Sequence, residues 1–375
     1  RLQFHRDLNQ PMDQLELRSW FRLSKLEIAP RKAADLVEIF GSPQAVFSAG
    51  EAELRSVEGL TGRTIEKLLS PEPPNLDQEL AELHEKDIQF ITIQSEDYPA
   101  NLKQIYDPPV VLYVRGEIRE SDRFAVAIVG SRRASIYGKS MAEKIARDLA
   151  SRGLCIVSGG ARGIDAAAHK GTLAAGGRTV AVLGCGIDVP YPAEHKELFQ
   201  QISETCAVVS EFPPGTKPEG WRFPARNRII SGLSIGVLVI QAPVDSGALI
   251  TSEYAAEQGR SIFALPGNVD DIRNEGSHAL IRDGAILIEN ADQILQELGV
   301  FSDVEENRPQ LSLPLDSLTD VERKLVELLS LQPKHVDQVI QESGLPAPTV
   351  TGTLTMLEMK GIIKRVPGNA YVRAL

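Results

Sequence analysis

Ala127-Ile128-Val129-Gly130-Ser131-Arg132 and Ile156-Val157-Ser158-Gly159-Gly160-Ala161-Arg162-Gly163-Ile164-Asp165 carry the same pattern twice: an apolar strand runs into glycines and then into a helix. Glycine lets backbone N–H groups approach an anion, and a helix N-terminus favours negative charge. Around these two turns, strand-like runs at 124–129, 154–158, 178–183, 206–210, 235–241 and 261–265 alternate with helical segments at 138–152, 164–175, 193–204, 224–232 and 246–258. Continuous Val/Ile/Leu strands separated by amphipathic helices predict an α/β fold, Rossmann-like and doubly wound, with a mainly parallel sheet covered on both faces. Ligands of such sheets lie beyond the carboxyl ends of the strands, which puts both glycine turns on one rim.

Outward from this core the rhythm changes. Residues 1–12 are polar and read as a disordered tail, and 13–74 as short helices broken at Pro30, Gly41-Ser42-Pro43 and Gly59. Within them Val57–Gly62 has the look of a helix-hairpin-helix turn, although its mixed flanking charge favours a packing role. Pro71-Glu72-Pro73-Pro74 reads as a linker, and the α/β domain is expected over 78–299, with further strands at 90–93 and 110–114. A second linker at 300–317 precedes 318–375, where three helices (319–331, 335–343, 348–360) and a hairpin predict a winged helix. Such a domain reads duplex DNA or contacts protein. Its expected recognition helix has no basic residue before Lys360, and across 319–375 seven Lys/Arg meet six Asp/Glu, which favours protein contact.

A net charge of −11 argues against nucleic acid only when averaged over the chain. From Gly130 to Arg178 nine Lys/Arg face Glu143, Asp148 and Asp165, and from Pro213 to Ile230 Lys217, Arg222, Arg226 and Arg228 face Glu219 alone. Local potential, not total charge, steers a polyanion. Cys155, Cys185 and Cys206 lie in apolar runs without metal-ligand spacing, which suits plain buried thiols and a cytoplasmic setting. No apolar run reaches membrane-spanning length.

The first turn departs from a dinucleotide fingerprint, since Arg132 stands where the second glycine belongs. The Ser131 hydroxyl and the Arg132 fork suit phosphate oxygens instead. In the second turn Asp165 is expected to cap its helix, His169 to be a structural imidazole and Lys170 to reach the rim. Phe223-Pro224-Ala225-Arg226-Asn227-Arg228 puts further charge at a helix start. Tyr137, Tyr191, Trp221 and Phe223 fall in loops among the basic groups, and cations beside ring faces are what single-stranded nucleic acid requires. Asp245-Ser246-Gly247-Ala248-Leu249-Ile250-Thr251-Ser252-Glu253 looks like a degenerate nucleotide phosphoribohydrolase motif, which keeps open an alternative: a nucleotide-processing enzyme centred on Glu253.

Taken in order, Gly130-Ser131-Arg132, Ser158–Asp165, Arg226–Ser234, Ser246–Thr251, Leu265-Pro266-Gly267 and Tyr98-Pro99 before Pro108-Pro109 resemble the DNA-processing protein A (DprA/Smf) family. The resemblance implies a non-enzymatic, cofactor-free and metal-free protein of the bacterial cytoplasm. It would bind and protect single-stranded DNA during natural transformation, form a homodimer and help load the RecA recombinase. It also implies a sterile-alpha-motif (SAM)-like N-terminal domain and a C-terminal winged helix. Carried onto this chain, the phosphate-binding positions are Gly130, Ser131, Arg132, Gly160, Arg162, Gly163 and Lys170, with Arg226, Asn227 and Arg228 as neighbours.

Overall fold

The computed structural model describes residues 14–300, 318–330, 333–360, 362–366 and 368–373, so the expected tail at 1–12 and nearly all of the expected linker at 300–317 fall outside the described residues. Nine strands form one sheet: β1 (Gln89–Thr92), β2 (Val111–Gly116), β3 (Ala125–Val129), β4 (Cys155–Ser158), β5 (Thr179–Leu183), β6 (Ala207–Ser210), β7 (Gly236–Val239), β8 (Ser261–Ala264) and β9 (Ile286–Leu287). Their order is β1-β2-β6-β5-β4-β3-β7-β8-β9. Strands β3 to β9 pair in parallel, while β1 and β2 add an antiparallel edge. Between β1 and β2 the chain forms only the short helix Ala100–Lys103, which leaves no long crossover helix to return it in parallel.

The sheet is buried on both faces because its central strands are apolar at nearly every position, and buried Ser158, Thr179 and Ser210 bond to backbone carbonyls. In β3, Val126 and Ile128 enter one core with Ile145, Leu149, Ile164 and Ile240, whereas Ala125, Ala127 and Val129 enter the other with Phe199, Ile202, Ile229 and Ile230. That split is the period-two alternation of a strand between two helical layers.

The chain winds β3→β4→β5→β6 to one side and then returns to β7→β8→β9 on the other side of β3. The strand order therefore reverses between β3 and β7, and the loops leaving their carboxyl ends diverge there to open a crevice.

Five helices fill Gln14–Leu69. They pack against the edge of the sheet: Trp20, Phe21, Leu36 and Val37 belong to the same apolar cluster as β1 and β2. Phe21 meets Phe90 and Tyr113 edge-on at 5.9 and 6.4 Å, and Ser24 Oγ lies 2.7 Å from Tyr113 Oη. The proline segment 71–74 is held in place, since Arg18 binds both Glu72 and Asp77. In the turn at Val57–Gly62, Val57 is buried and Lys32 donates to the Glu58 carbonyl at 3.1 Å.

At the C-terminus, helices Asp320–Leu328, Val336–Ser343 and Ala347–Met359 carry a three-stranded sheet of order β10-β12-β11, formed by β10 (Lys334–His335), β11 (Ile363–Val366) and β12 (Ala370–Arg373). Strand β10 is too short to show a sequence period. Leu325, Val339, Val350, Leu354 and Leu357 give this domain its own core. The outward face of Ala347–Met359 presents Thr349, Thr351, Thr355, Met356 and Glu358, which carry no positive charge. Among the described residues no helix is long and apolar enough to cross a membrane.

Candidate functional site

The two glycine turns meet at the crevice beside β3. Gly163 is at φ +81°, and a Cβ there would come within 2.2 Å of the Ser131 carbonyl oxygen, so the second turn seats on the first only as glycine. Ile164 N–H donates to the Ser131 carbonyl at 3.4 Å, and Ser131 N–H donates to the Gln241 carbonyl at 2.6 Å. The Ser131 hydroxyl turns inward and accepts from Arg133 N–H at 3.1 Å.

One side chain fixes this first turn. Gln241, 1% exposed just beyond β7, accepts through Oε1 from both the Ser135 N–H and the Ser135 hydroxyl at 2.9 Å, and donates through Nε2 to Asn274 Oδ1 at 3.1 Å. Its backbone and side chain therefore clamp both ends of the segment that carries Arg132 and Arg133. Gln241→Leu leaves half-buried Ser135 and buried Asn274 without these bonds and is expected to lower stability by about 1–3 kcal/mol, measured by urea unfolding.

The resulting groove has a volume of about 900 Å³. Gly130, Ser131, Arg132 and Arg133 form one wall, the Tyr191/Phe223 side a second, and Asp245, Ser246 and Gly247 of the third glycine turn another. A narrow extension runs between Gly159, Ala161, Arg162, Tyr191 and Pro192. Arg132 is exposed, with its guanidinium 5.4 Å from the centre of the Phe223 ring, and Phe223 in turn lies 5.2 Å from Tyr191. Arg162 is exposed and paired with Glu194, which holds the glutamate below the usual carboxylate range.

The predicted site residues divide sharply. Gly130, Ser131, Arg132, Arg226 and Asn227 line the large groove, and Arg162 lines its extension. Gly160 and Gly163 shape the second turn without facing the cavity as side chains; at Gly160, φ +66°, the space a Cβ would need is filled by Phe199. Lys170, exposed on the helix Ile164–Ala174, lines neither cavity.

Arg226 is 4% exposed and donates to the carbonyls of Gly159 and Val182, so its main contacts brace the turn from within. Burial pulls its guanidinium down to about 10, still fully protonated at neutral pH. Asn227 donates to the Gly247 carbonyl at 3.0 Å, joining its helix to the third turn. Arg228 does not reach the groove: it is 3% exposed and pairs with Asp107 at 3.0 Å and Glu211 at 2.5 Å.

Three expectations need correction. The helix after the second turn starts from Gly163, and Asp165 does not cap it; its buried carboxylate accepts from the Ala161 N–H at 3.3 Å and braces the turn itself. Burial raises Asp165 above the usual carboxylate range against the field of Arg226. Tyr137 is not in a loop but in the first turn of the helix Ile136–Ala150, and Phe223 is likewise helical, within Arg222–Leu233. Trp221, 56% exposed, meets Phe212 edge-on and donates to Glu219, away from the Tyr191–Phe223 pair.

His169 is fully buried, 2.7 Å from the Thr179 hydroxyl, and burial pushes its imidazole down to about 3, so it stays neutral. Cys155, Cys185 and Cys206 are buried free thiols, and no group among the described residues is arranged to hold a metal ion. Arg133 and Arg273 line the groove without having been singled out from sequence. Adjacency to Arg132 was the available signal for the first, whereas nothing in sequence brings Arg273 to this rim.

Comparison with known proteins agrees with this architecture. The family model described as DNA recombination-mediator protein A matches residues 89–299, and that of the DprA winged helix domain matches 309–369. The chain is 38% identical to Protein Smf of Escherichia coli K12 over 94% of this chain and 95% of that protein. It is 45% identical to the DNA processing protein DprA of Streptococcus pneumoniae over 55% of this chain and 73% of that one. The X-ray structure of the Streptococcus pneumoniae protein aligns with a TM-score of 0.67 at 36% identity, covering 75% of this chain and 97% of that one. A structure of DNA processing protein A from Helicobacter pylori, described for its single-stranded DNA binding mode, aligns with a TM-score of 0.51 at 32% identity over 56% of this chain and 95% of that one. With both its α/β domain and its winged helix matched, the chain belongs to the DprA/Smf family.

Proposed function

We propose that this chain is a non-enzymatic, cytoplasmic single-stranded DNA binder that protects the strand and helps load the RecA recombinase during natural transformation, acting as a homodimer. The observation that carries the binding role is the pairing, at one groove mouth, of two exposed guanidinium groups, Arg132 and Arg162, with the Tyr191–Phe223 rings. Cations track a phosphate backbone and ring faces stack bases without regard to sequence. The Helicobacter pylori relative, described for binding single-stranded DNA, supports the same reading. The RecA, transformation and dimer parts rest on family membership. Lys170, outside the groove on the next helix, is assigned a peripheral phosphate contact, and Lys170→Ala should weaken binding less than Arg132→Ala.

The test is a fluorescence anisotropy titration of single-stranded against duplex DNA across a salt series. Strong, salt-dependent preference for the single strand is the expected result, and equal or stronger duplex binding would sink the proposal. In free protein Glu194 occupies Arg162, so Glu194→Gln is expected to raise single-strand affinity about twofold to fivefold. For the winged helix, an outer face of Ala347–Met359 with no positive charge favours a protein contact over duplex readout.

Against the alternative, a nucleotide-processing enzyme centred on Glu253, stands the position of that residue. Glu253 is exposed on the helix Gly247–Glu257 and does not line the groove. Glu253-dependent release of free base from nucleoside monophosphates would revive it.

A further inference from the structure

Beyond the segment 190–196 lies a second cavity of about 190 Å³, set against the helix Lys196–Thr205. Its interior is mostly apolar, with Leu183, Ile187, Phe199 and Val208 in its walls beside Gln200 and Ser203. Its lip is cationic: Arg115, half-buried on β2, and Lys196, exposed in the first turn of the helix, are not ion-paired with any described residue. The carboxylate in the wall, Asp188, already accepts from the Gly215 N–H at 2.7 Å and lies 4.0 Å from Lys86. Pockets for whole drug-sized ligands span roughly 300–1,000 Å³, so this one suits a single planar ring system with its charged group left outside. A flat, mostly apolar body with an anionic arm is the chemistry of a nucleobase carrying a phosphate.

We infer that this cavity is a nucleotide site, holding one base against Phe199 with its phosphate between Arg115 and Lys196. The inference extends the single-stranded DNA reading to a station that the groove residues do not form. The wall of this cavity is also the support of the second glycine turn. Phe199 fills the space beside Gly160, the His195 ring stands edge-on to Phe199 at 6.2 Å, and His195 Nδ1 lies 2.9 Å from the Gly160 carbonyl oxygen. Glu194, one residue earlier, pairs with Arg162. A base seated here therefore bears on the segment that sets the Arg162 turn, and the two sites are coupled reciprocally. The nucleotide comes either from the bound strand or from the free pool.

The experiment uses the full chain carrying Arg132→Ala and Arg162→Ala, which weakens the groove, and measures dAMP binding by equilibrium dialysis. Saturable binding is expected, falling about tenfold when Lys196→Ala or Arg115→Ala is added. Lys196 is exposed, so its replacement leaves the fold intact, and thermal unfolding checks Arg115→Ala. In the otherwise native protein, affinities for (dT)6 and (dT)20 separate the sources. A strand-supplied nucleotide makes Lys196→Ala weaken (dT)20 while sparing (dT)6. A free nucleotide leaves both oligonucleotides unchanged while dAMP binding is lost. If neither dAMP binding nor either oligonucleotide responds to the lip variants, the site is overturned. That result leaves the groove reading standing, because the groove is tested by Arg132 and Arg162 alone.

Discussion

Arg132→Ala and Arg162→Ala together are expected to lower single-strand affinity about a hundredfold at moderate salt, roughly tenfold for each charge-assisted phosphate contact. Both guanidinium groups are exposed and neither supports the core, so the folded state should tolerate their loss. A loss of affinity without a loss of stability is the signature sought. Each removed phosphate contact also removes counterion release, and for a single strand it should flatten the slope of log K against log salt by about 0.7. The double variant should therefore change the slope by about 1.4. Anisotropy at several salt concentrations measures both quantities, and an unchanged slope would place the phosphates elsewhere. The two residues act on different contacts: Arg132 is backed by the Phe223 ring, while Arg162 must exchange Glu194 for phosphate. Near-additive effects are expected for sites that share no partner.

Much of this arrangement was legible in the sequence because it depends on periods and on glycine. The strands at 124–129, 154–158 and 178–183 lie within a residue of β3, β4 and β5, since continuous Val/Ile/Leu/Ala runs mark the strands of a buried parallel sheet. The rim site followed from the same pattern, because both glycine turns leave neighbouring parallel strands. What sequence did not reveal depends on long-range contact. The two strands nearest the N-terminus pair antiparallel, which no local period signals. The Arg226-Asn227-Arg228 run illustrates the point differently. Residues two apart on a helix point to nearly opposite sides, so Arg226 and Arg228 were never able to face one groove together. Charge counted along the chain placed both at the site; helical geometry sends one beneath the second turn and the other to Glu211. Gln241 escaped notice because a lone glutamine after an apolar strand carries no motif.

Arg228→Met should be the most destabilising of these changes, by about 3–5 kcal/mol, because it breaks a buried ion pair from one side only. Methionine preserves much of the volume but leaves Glu211, with a side chain 10% exposed, facing no cation. Burial already raises the Glu211 carboxyl above its ordinary 4.5, against the field of Arg228. Without that field its folded-state value climbs further, so the folded protein binds a proton that the unfolded chain has released. Stability then falls as pH rises through the folded value. The converse is the useful measurement. As pH drops from 8 towards the ordinary carboxylate range, Glu211 becomes neutral in the folded state and the penalty of the substitution shrinks. Urea unfolding of native and variant protein at pH 8 and pH 5.5 should show the gap narrowing on acidification. Asp107, a third exposed, retains access to water and should contribute less. A gap that stays constant with pH would mean that the loss came from packing and not from the stranded carboxylate. Single-strand binding by the fraction still folded should be retained, because this arginine points away from the groove that its neighbour Arg226 helps to build.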